Sequence, residues 1–215
     1  MAHRASRSLP VLVSLVAGLA WAQSGVGNGQ WPSYAGDLRN FRYSPLDQIN
    51  ASNFNKLEVA WRFKTDSLGN RPEFKLEGTP LMVNGVVYAT AGSRRAVVAL
   101  DAATGELLWV HGEHEGARGA AAPRQLSGRG VSYWSDGAQE RILYVTPGYR
   151  LICLDAKTGL LDPEFGDNGA VDMKRFAVYG TGLPIDPVNG EIGLHATPAV
   201  TKSGVVLFAG RLVAP

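Results

Sequence analysis

The stretch AVVALDAATGELLW, residues 96–109, is the part of the sequence that decides the fold. An apolar run ends at Asp101, a Thr-Gly turn follows, and a second apolar run ends at Trp109. The pattern recurs 54 residues later in RLICLDAKTGLLDP, residues 150–163, where Pro163 takes the position of the tryptophan. A turn that is written twice in this way indicates a protein built from repeated units.

The repeated turn has a physical rationale. The side chains of Asp101 and Thr104 can accept hydrogen bonds from amides of their own turn, and Gly105 adopts a positive φ without steric cost. Such a turn joins two antiparallel strands in a fixed register. Trp109 follows four residues after the glycine, where a large ring with an N–H donor can bridge two stacked sheets. The motif therefore predicts contacts between repeats and by itself predicts no chemistry.

Short runs rich in β-branched and aromatic residues, bounded by turn residues, follow one another along the chain. Asn84-Gly85 is a strong hairpin signal, because both central residues of a type I′ turn need positive φ. A long apolar stripe of helical period is missing from the sequence after residue 22. The sequence predicts an all-β protein with strands at Val59–Lys64, Thr79–Val83, Val86–Ala91, Ala96–Leu100, Leu107–His111, Ile142–Thr146, Leu151–Leu154, Thr197–Thr201 and Val205–Ala209.

The order of these strands predicts a β-propeller. Residues 79–109 form one four-stranded antiparallel unit of blade size, and residues 130–165 form a second, followed by an irregular insert that replaces its fourth strand. A third unit begins at residue 195, and a half-blade strand is expected around Trp61. Propellers close with about four to eight blades, so about two and a half blades predict an incomplete propeller that is the start of a larger ring.

The first 22 residues have the features of a signal peptide. Two arginines precede an apolar core, and Ala-Trp-Ala at 20–22 fits the A-x-A cleavage pattern. The apolar run is shorter than the about 20 residues of a spanning helix. We expect cleavage, a mature chain at 23–215 without a transmembrane helix, and a periplasmic location. An uncleaved interfacial anchor is the alternative.

Charge and cysteine content exclude several classes of protein. The chain has 21 basic and 19 acidic residues, and loss of the two arginines in residues 1–22 leaves 19 of each. A neutral mature chain has no electrostatic footprint for nucleic acid. Cys153 is the single cysteine, so it forms no intrachain disulfide, and its apolar surroundings predict a buried, inert thiol. A lipoprotein anchor would need a cysteine directly after the signal.

Several motifs in order resemble one family. Ala99–Trp109 resembles the tryptophan-docking motif of the eight-bladed quinoprotein dehydrogenases, which use pyrroloquinoline quinone (PQQ). The segment QWPSYAGDLRNFRYSPLDQINASNFNKLEVAW at 30–61 is similar to the N-terminal segment of that family. The stretches EGTPLMVNGVVYATAGSRRAVVALDAATGELLW and RQLSGRGVSYW are closer to its glucose-dehydrogenase-like branch than to the methanol type. The resemblance covers essentially the whole mature chain and implies the N-terminal part of a truncated propeller.

The resemblance implies cofactor-binding roles for three residues. Glu77 in LEGTP matches the acidic residue before the first blade strand that reaches the cofactor. Arg129 in SGRGVSYW matches the arginine that pairs with a PQQ carboxylate, and the planar fork of a guanidinium suits such a partner. His195 in LHATP matches a polar residue that lines the same pocket. Each residue on its own would more readily be explained as a solvated loop residue or a satisfied core histidine.

Other features of the family are absent or fall elsewhere. Pro123-Arg124 stands where the methanol type has a vicinal cysteine pair. The Ca²⁺ ligands, the catalytic carboxylate base and the tryptophan that stacks on PQQ belong to later blades, beyond residue 215, so no catalytic or metal-binding residue is predicted in this chain. HGEHEG at 111–116 is interpreted as a solvated charged loop, and DPEFGDNG at 162–169 lacks the spacing of a calcium loop.

The resemblance implies the N-terminal portion of a periplasmic PQQ-dependent dehydrogenase that oxidises an alcohol or sugar and passes electrons to ubiquinone or a cytochrome c. The fragment alone is expected to be inactive. A non-catalytic propeller scaffold or assembly protein built from the same repeats is the alternative. Glu77, Arg129 and the WPSYAGD segment favour the dehydrogenase. A truncated gene product with no function of its own is a third interpretation.

Overall fold

The computed structural model describes residues 26–71, 73–126, 128–175, 177–193, 196–201, 206–207 and 211–212. Within these residues, two four-stranded antiparallel sheets are formed, each in sequential strand order. The first sheet contains β1 Leu81–Val83, β2 Val86–Ala91, β3 Ala96–Asp101 and β4 Leu107–His111. The second contains β5 Ser132–Ser135, β6 Glu140–Val145, β7 Arg150–Asp155 and β8 Ala170–Asp172. The prediction of all-β blades is confirmed.

Shorter elements complete the described part. The strand β9 Ile192–Gly193 pairs with β12 Arg211–Leu212, and β10 Ala199–Val200 pairs with β11 Val206–Leu207. The single-turn helix α1 Gly116–Ala120 joins the two sheets, and 3-10 turns occur at Gly27–Gly29 and Phe54–Lys56. No helix among the described residues is long and apolar enough to cross a membrane.

The two sheets pack face to face. Side chains alternate between the two faces of a strand, so Val97 and Ala99 of β3 point toward the second sheet, whereas Val98 and Leu100 point away. Burying a valine or leucine side chain stabilises the fold by roughly 1.5–3 kcal/mol. The shared core contains Leu81, Val83, Tyr88, Val97 and Ala99 from the first sheet and Val131, Ile142, Tyr144, Ile152, Leu154 and Ala156 from the second.

The repeated turns receive tryptophans from the preceding unit. Trp61 Nε1 donates to the carbonyl of Ala102, 3.1 Å away, in the turn of the first sheet. In the same way, Trp109 Nε1 donates to the carbonyl of Ala156, 3.0 Å away, in the turn of the second sheet. Asp101 accepts hydrogen bonds from the amide and hydroxyl of Thr104, at 2.8 and 2.9 Å. The predicted docking role of the motif is confirmed.

The Asn84-Gly85 hairpin is also confirmed. Asn84 has a φ of 51° and Gly85 a φ of 82°, as a type I′ turn requires. Val83 and Val86 are paired directly across this turn.

The prediction of a strand at Val59–Lys64 is wrong. The alternating pattern is real, because Trp61 and Phe63 pack under the first sheet against Val98 and Leu100. A strand also needs a hydrogen-bonded neighbour, and among the described residues this segment has none. The segment therefore crosses the sheet face as extended chain.

The prediction that an irregular insert replaces the fourth strand of the second unit is also wrong. The chain begins to pair with β7 directly after the turn, since Asp162 N–H donates to the Cys153 carbonyl at 3.0 Å. Pro163 cannot donate to a ladder and interrupts the strand. The chain then loops out and returns as β8, where Ala170 pairs with Ile152.

Further differences concern boundaries and one more strand. The sequence patterns miss β5, whose small and aromatic residues do not form an apolar run. The predicted strand at residues 205–209 is described only at Val206–Leu207, and the predicted signal peptide at 1–22 lies outside the described residues. Cys153 is buried as predicted, and burial raises the pKa of its thiol to about 12.

Candidate functional site

The segments that precede β1 and β5 meet in the structure. Thr79 N–H donates to the carbonyl of Arg129 at a distance of 3.1 Å. Gly130, with a φ of 115°, lies so close to Thr79 that a Cβ atom in its place would stand 2.8 Å from the Thr79 carbonyl oxygen. A Cβ atom at Gly78 would lie 3.8 Å from the carbonyl oxygen of Gly128. The residues around Thr79 and those around Arg129, which are 50 positions apart in sequence, therefore lie side by side.

The Arg129 side chain is exposed. Its guanidinium Nη1 donates to the hydroxyl of Tyr34 over 3.5 Å, which is a long hydrogen bond. Tyr34 is held there because the neighbouring Trp31 exchanges two main-chain hydrogen bonds with Met82 of β1, of 2.7 and 3.1 Å. The Arg129 guanidinium therefore presents five N–H donors, and in the described part of the chain it is restrained only weakly, by this long hydrogen bond.

Glu77 lies half-buried two residues before Thr79, and its carboxylate is 3.3 Å from Lys75 Nζ. Lys75 also lines a cavity of about 310 Å³ together with Arg71 and Arg124. Three cationic side chains thus line this cavity, next to the two carboxylates of Glu73 and Glu77. The excess of positive charge favours an anionic ligand.

His195 lies outside the described residues, so its predicted site role stays a prediction. The chain just beyond it does reach the second sheet. Pro198 accepts a short hydrogen bond from the Ser132 hydroxyl, and β10 lies beside β5. The start of the third unit therefore lies beside β5, at the start of the second unit. In the same way, the segment before β5 lies beside the segment before β1.

A larger cavity of about 650 Å³ opens between residues 32–40, β5 and residues 197–201. Tyr34 lines this cavity, and its hydroxyl also accepts the hydrogen bond from Arg129, which is not itself part of the lining. Ser33 and Trp134 line the cavity too. The Ser33 hydroxyl and the Trp134 indole N–H are fully buried and have no hydrogen-bond partner in the described part of the chain, so they are a cost to the fold and do not identify a ligand.

The HGEHEG loop is less solvated than predicted. His111 Nε2 is 2.9 Å from Glu113 Oε1, and the His111 ring lies edge-on to Tyr144. This hydrogen bond lowers the pKa of Glu113. Glu115 accepts hydrogen bonds from the Thr146 hydroxyl at 2.7 Å and the Gly148 amide at 2.6 Å. The loop is thus anchored to the second sheet, and the described residues hold no cluster of three or more metal-ligating side chains.

Sequence patterns do not single out Tyr34 or Arg95, which the structure places around Arg129. Tyr34 lies in an N-terminal segment, 95 residues away from Arg129 in sequence. Arg95 is buried in the hairpin between β2 and β3. A charged residue inside the apolar stretch AGSRRAVVAL is the signal by which Arg95 could have been found.

Comparison with known proteins bears on the family and the fold of the chain. A family model described as "PQQ: Glucose/ethanol/alcohol dehydrogenase, beta-propeller domain" matches residues 31–212. The dehydrogenase subunit of an alcohol dehydrogenase (quinone) from Gluconobacter oxydans (strain 621H) is 45% identical over 136 residues, which cover 62% of this chain and 16% of the relative. The quinoprotein glucose dehydrogenase of the same organism is 34% identical over 200 residues, covering 82% of this chain and 24% of the relative.

A solved structure has a similar fold. The quinohemoprotein alcohol dehydrogenase from Comamonas testosteroni superposes with a TM-score of 0.66 at 26% sequence identity, over 88% of this chain and 24% of that chain. The present chain thus spans between about a sixth and a quarter of the length of these relatives. The resemblance inferred from the motifs is confirmed at the level of the family.

Proposed function

Because the chain belongs to the family of glucose, ethanol and alcohol dehydrogenase β-propellers that use PQQ, we propose that it supplies part of the cofactor site of a dehydrogenase that oxidises the hydroxyl group of an alcohol or sugar. The observation that carries this proposal is the hydrogen bond from Thr79 N–H to the Arg129 carbonyl, 3.1 Å long. It brings the Glu77 and Arg129 segments side by side.

The residues present fit the cofactor. PQQ is a flat trianion, and this part of the protein offers the exposed guanidinium of Arg129 and, in the cavity next to Glu77, the cations Arg71, Lys75 and Arg124. Glycines at 78, 128 and 130 allow the protein segments around Arg129 to pack closely, because Cβ atoms there would press on Thr90, Arg95 and Thr79. The adjoining cavity of about 650 Å³ lies within the size range of small-molecule sites.

Each residue has a distinct part in this proposal. Arg129 would hold a carboxylate of the cofactor through its guanidinium N–H donors. The Glu77 carboxylate, whose position 3.3 Å from Lys75 Nζ is held by that ion pair, would accept a hydrogen bond from the cofactor. His195 is proposed as a further polar residue of the same pocket. When bound, PQQ supplies the chemistry by accepting a hydride equivalent from the substrate.

The wider protein is proposed by analogy with the relatives. We propose a periplasmic enzyme that passes electrons to ubiquinone or a cytochrome c, with Ca²⁺ and the catalytic base provided by residues beyond 215. In this proposal residues 1–215 alone do not turn over. Reduction of a dye by the purified 215-residue chain in the presence of PQQ would contradict this last point.

Titration of PQQ into the full-length gene product tests the function. Arg129→Ala is expected to weaken PQQ binding by roughly 10- to 100-fold, since a charge-assisted bidentate pair contributes about 1.5–3 kcal/mol. Quenching of tryptophan fluorescence measures the dissociation constant. Arg42→Ala is the matched control, because that exposed arginine lies 5.9 Å from the Tyr34 ring and does not reach LEGTP. A wild-type protein that does not bind PQQ would favour the scaffold interpretation.

A further inference from the structure

Arg95 is a buried cation in an unusual backbone position. It lies at the end of the hairpin turn between β2 and β3, where its N–H donates to the Gly92 carbonyl at 3.2 Å. Its φ is 55°, in the left-handed region that favours glycine. The residue is only 4% exposed. Burial lowers the pKa of Arg95 to about 10, so the side chain is still charged at neutral pH. A strained backbone and a buried charge together call for a structural or functional reason.

The guanidinium of Arg95 binds main-chain carbonyls from two different regions. Its Nη1 donates to the Val145 carbonyl at 2.8 Å, at the end of β6 in the second sheet. Its Nε donates to the Leu126 carbonyl at 2.9 Å, and its Nη2 donates to the Arg124 carbonyl at 2.7 Å. The last two acceptors lie in the loop that leads directly to Arg129. Arg95 thus ties this loop to both sheets.

The contact extends to the residue next to Arg129. A Cβ atom at Gly128 would stand 3.0 Å from Arg95 Nε and 3.1 Å from Arg95 Cζ, and the φ of Gly128 is 71°. The backbone before Arg129 therefore rests on the Arg95 guanidinium. On its other side, the Arg129 carbonyl is held by Thr79 N–H. The position from which the Arg129 side chain reaches out is fixed by these two contacts.

We propose that Arg95 is a positioning residue for Arg129: its buried guanidinium holds the 124–128 loop so that the Arg129 fork meets a carboxylate of the cofactor in bidentate geometry. This inference rests on the function proposed above. Preorganised loops bind with less loss of conformational freedom, so loosening this loop costs affinity even though Arg95 does not touch the ligand. A general brace between the blades would affect stability but would not act through Arg129.

A double-mutant cycle in the full-length gene product separates these roles. We expect Arg95→Met to weaken PQQ binding about tenfold, within the coupling range of directly connected residues, and to do so only while Arg129 is present. In an Arg129→Ala background the same change should have less than about a twofold effect. PQQ trimethyl ester, which lacks the carboxylates, should bind to Arg95→Met and to the wild type equally well.

Two further variants make the test robust. Arg94→Met is the matched control, since Arg94 is exposed and its Nη1 contacts His114 Nδ1 at 3.3 Å instead of the 124–128 loop. If Arg95→Met does not fold, Arg95→Lys keeps the charge but loses the fork, and it should show a smaller loss that follows the same pattern. Amide hydrogen exchange without PQQ should be faster at residues 124–130 in the Arg95 variants.

The outcomes are distinguishable. If wild-type protein does not bind PQQ, the proposed function fails and this inference with it. The positioning role alone is wrong if wild-type protein binds PQQ and either of two results is found. One is that the losses in PQQ binding free energy caused by Arg95→Met and Arg129→Ala are additive. The other is that Arg95→Met weakens binding of the ester as much as binding of PQQ. Unchanged exchange at residues 124–130 would also overturn the positioning role.

Discussion

At the scale of single residues, Gly159 and Trp109 form the most demanding contact between the two blades. Gly159 has a φ of 70°, and a Cβ atom there would lie 2.5 Å from the Trp109 ring carbon Cε3. We expect Gly159→Ala to lower the free energy of unfolding by about 2–5 kcal/mol, because the positive φ costs about 1–2 kcal/mol and overpacking adds about 1–3 kcal/mol. Urea unfolding followed by tryptophan fluorescence measures this loss.

Gly85→Ala is the matched control for the backbone contribution. Gly85 also has a positive φ, of 82°, but a Cβ atom there would meet no heavy atom within 4 Å. Its replacement should cost only the conformational part, about 1–2 kcal/mol. If both variants lose the same stability, the docked tryptophan does not restrict position 159 and the proposed packing is wrong.

Single residues also show what sequence can and cannot reveal about the site. Glu77 and Arg129 are predicted from short motifs, because the family resemblance depends on local strings of residues. The role of Arg95 is invisible in the sequence, because its three carbonyl acceptors are 29, 31 and 50 residues away. A carbonyl acceptor exists at every residue, so no side-chain pattern identifies which ones are bound.

At the scale of elements, helix α1 is tied to β8 by one ion pair. Arg118 is buried and donates to both carboxylate oxygens of Asp172, at 2.6 and 2.8 Å. These hydrogen bonds lower the pKa of Asp172 to about 2, against about 3.9 for an unfolded aspartate. Because the folded-state pKa is depressed, the contribution to stability is present above about pH 4 and is lost as the pH falls from about 4 toward 2.

Asp172→Asn tests this ion pair. We expect the wild type to lose stability between about pH 4 and pH 2 more steeply than the variant. Asp172 takes up a proton when the wild type unfolds in this pH range, whereas the asparagine of the variant does not. Thermal unfolding across this pH range measures the difference in slope. Asp66→Asn is the control, since Asp66 is an exposed residue of a turn away from α1 and β8. Parallel curves for the wild type and Asp172→Asn would contradict the expected role.

The elements that the sequence predicts well are those whose pairing partners are close in sequence. The strands β2 and β4 have the predicted bounds, because each follows a tight turn with clear chemistry. The strand β8 is missed because seven residues separate Asp162 from Ala170, and only pairing with β7 makes that segment a strand. At Val59–Lys64 the opposite holds: the side chains alternate, but the described part of the chain provides no neighbouring strand.

At the scale of the whole molecule, the first sheet keeps an apolar face that the described residues cover only in part. Val98 and Leu100 are covered by Trp61 and Phe63, but Leu108 and Val110 on the edge strand β4 are 51% and 47% exposed. Propeller blades normally bury both faces against neighbours. An exposed apolar edge strand is a site for self-association.

We expect the purified chain of residues 23–215 to self-associate, and the double change Leu108→Thr and Val110→Thr to reduce that association by removing apolar surface while placing residues of high β propensity in the strand. Sedimentation velocity over a range of protein concentrations measures the effect. Leu160→Thr is the control, because Leu160 is 67% exposed but lies in the turn between β7 and β8, away from this face. If Leu160→Thr reduces association as much as the double change does, the association depends on general surface hydrophobicity and not on the open face of the first blade.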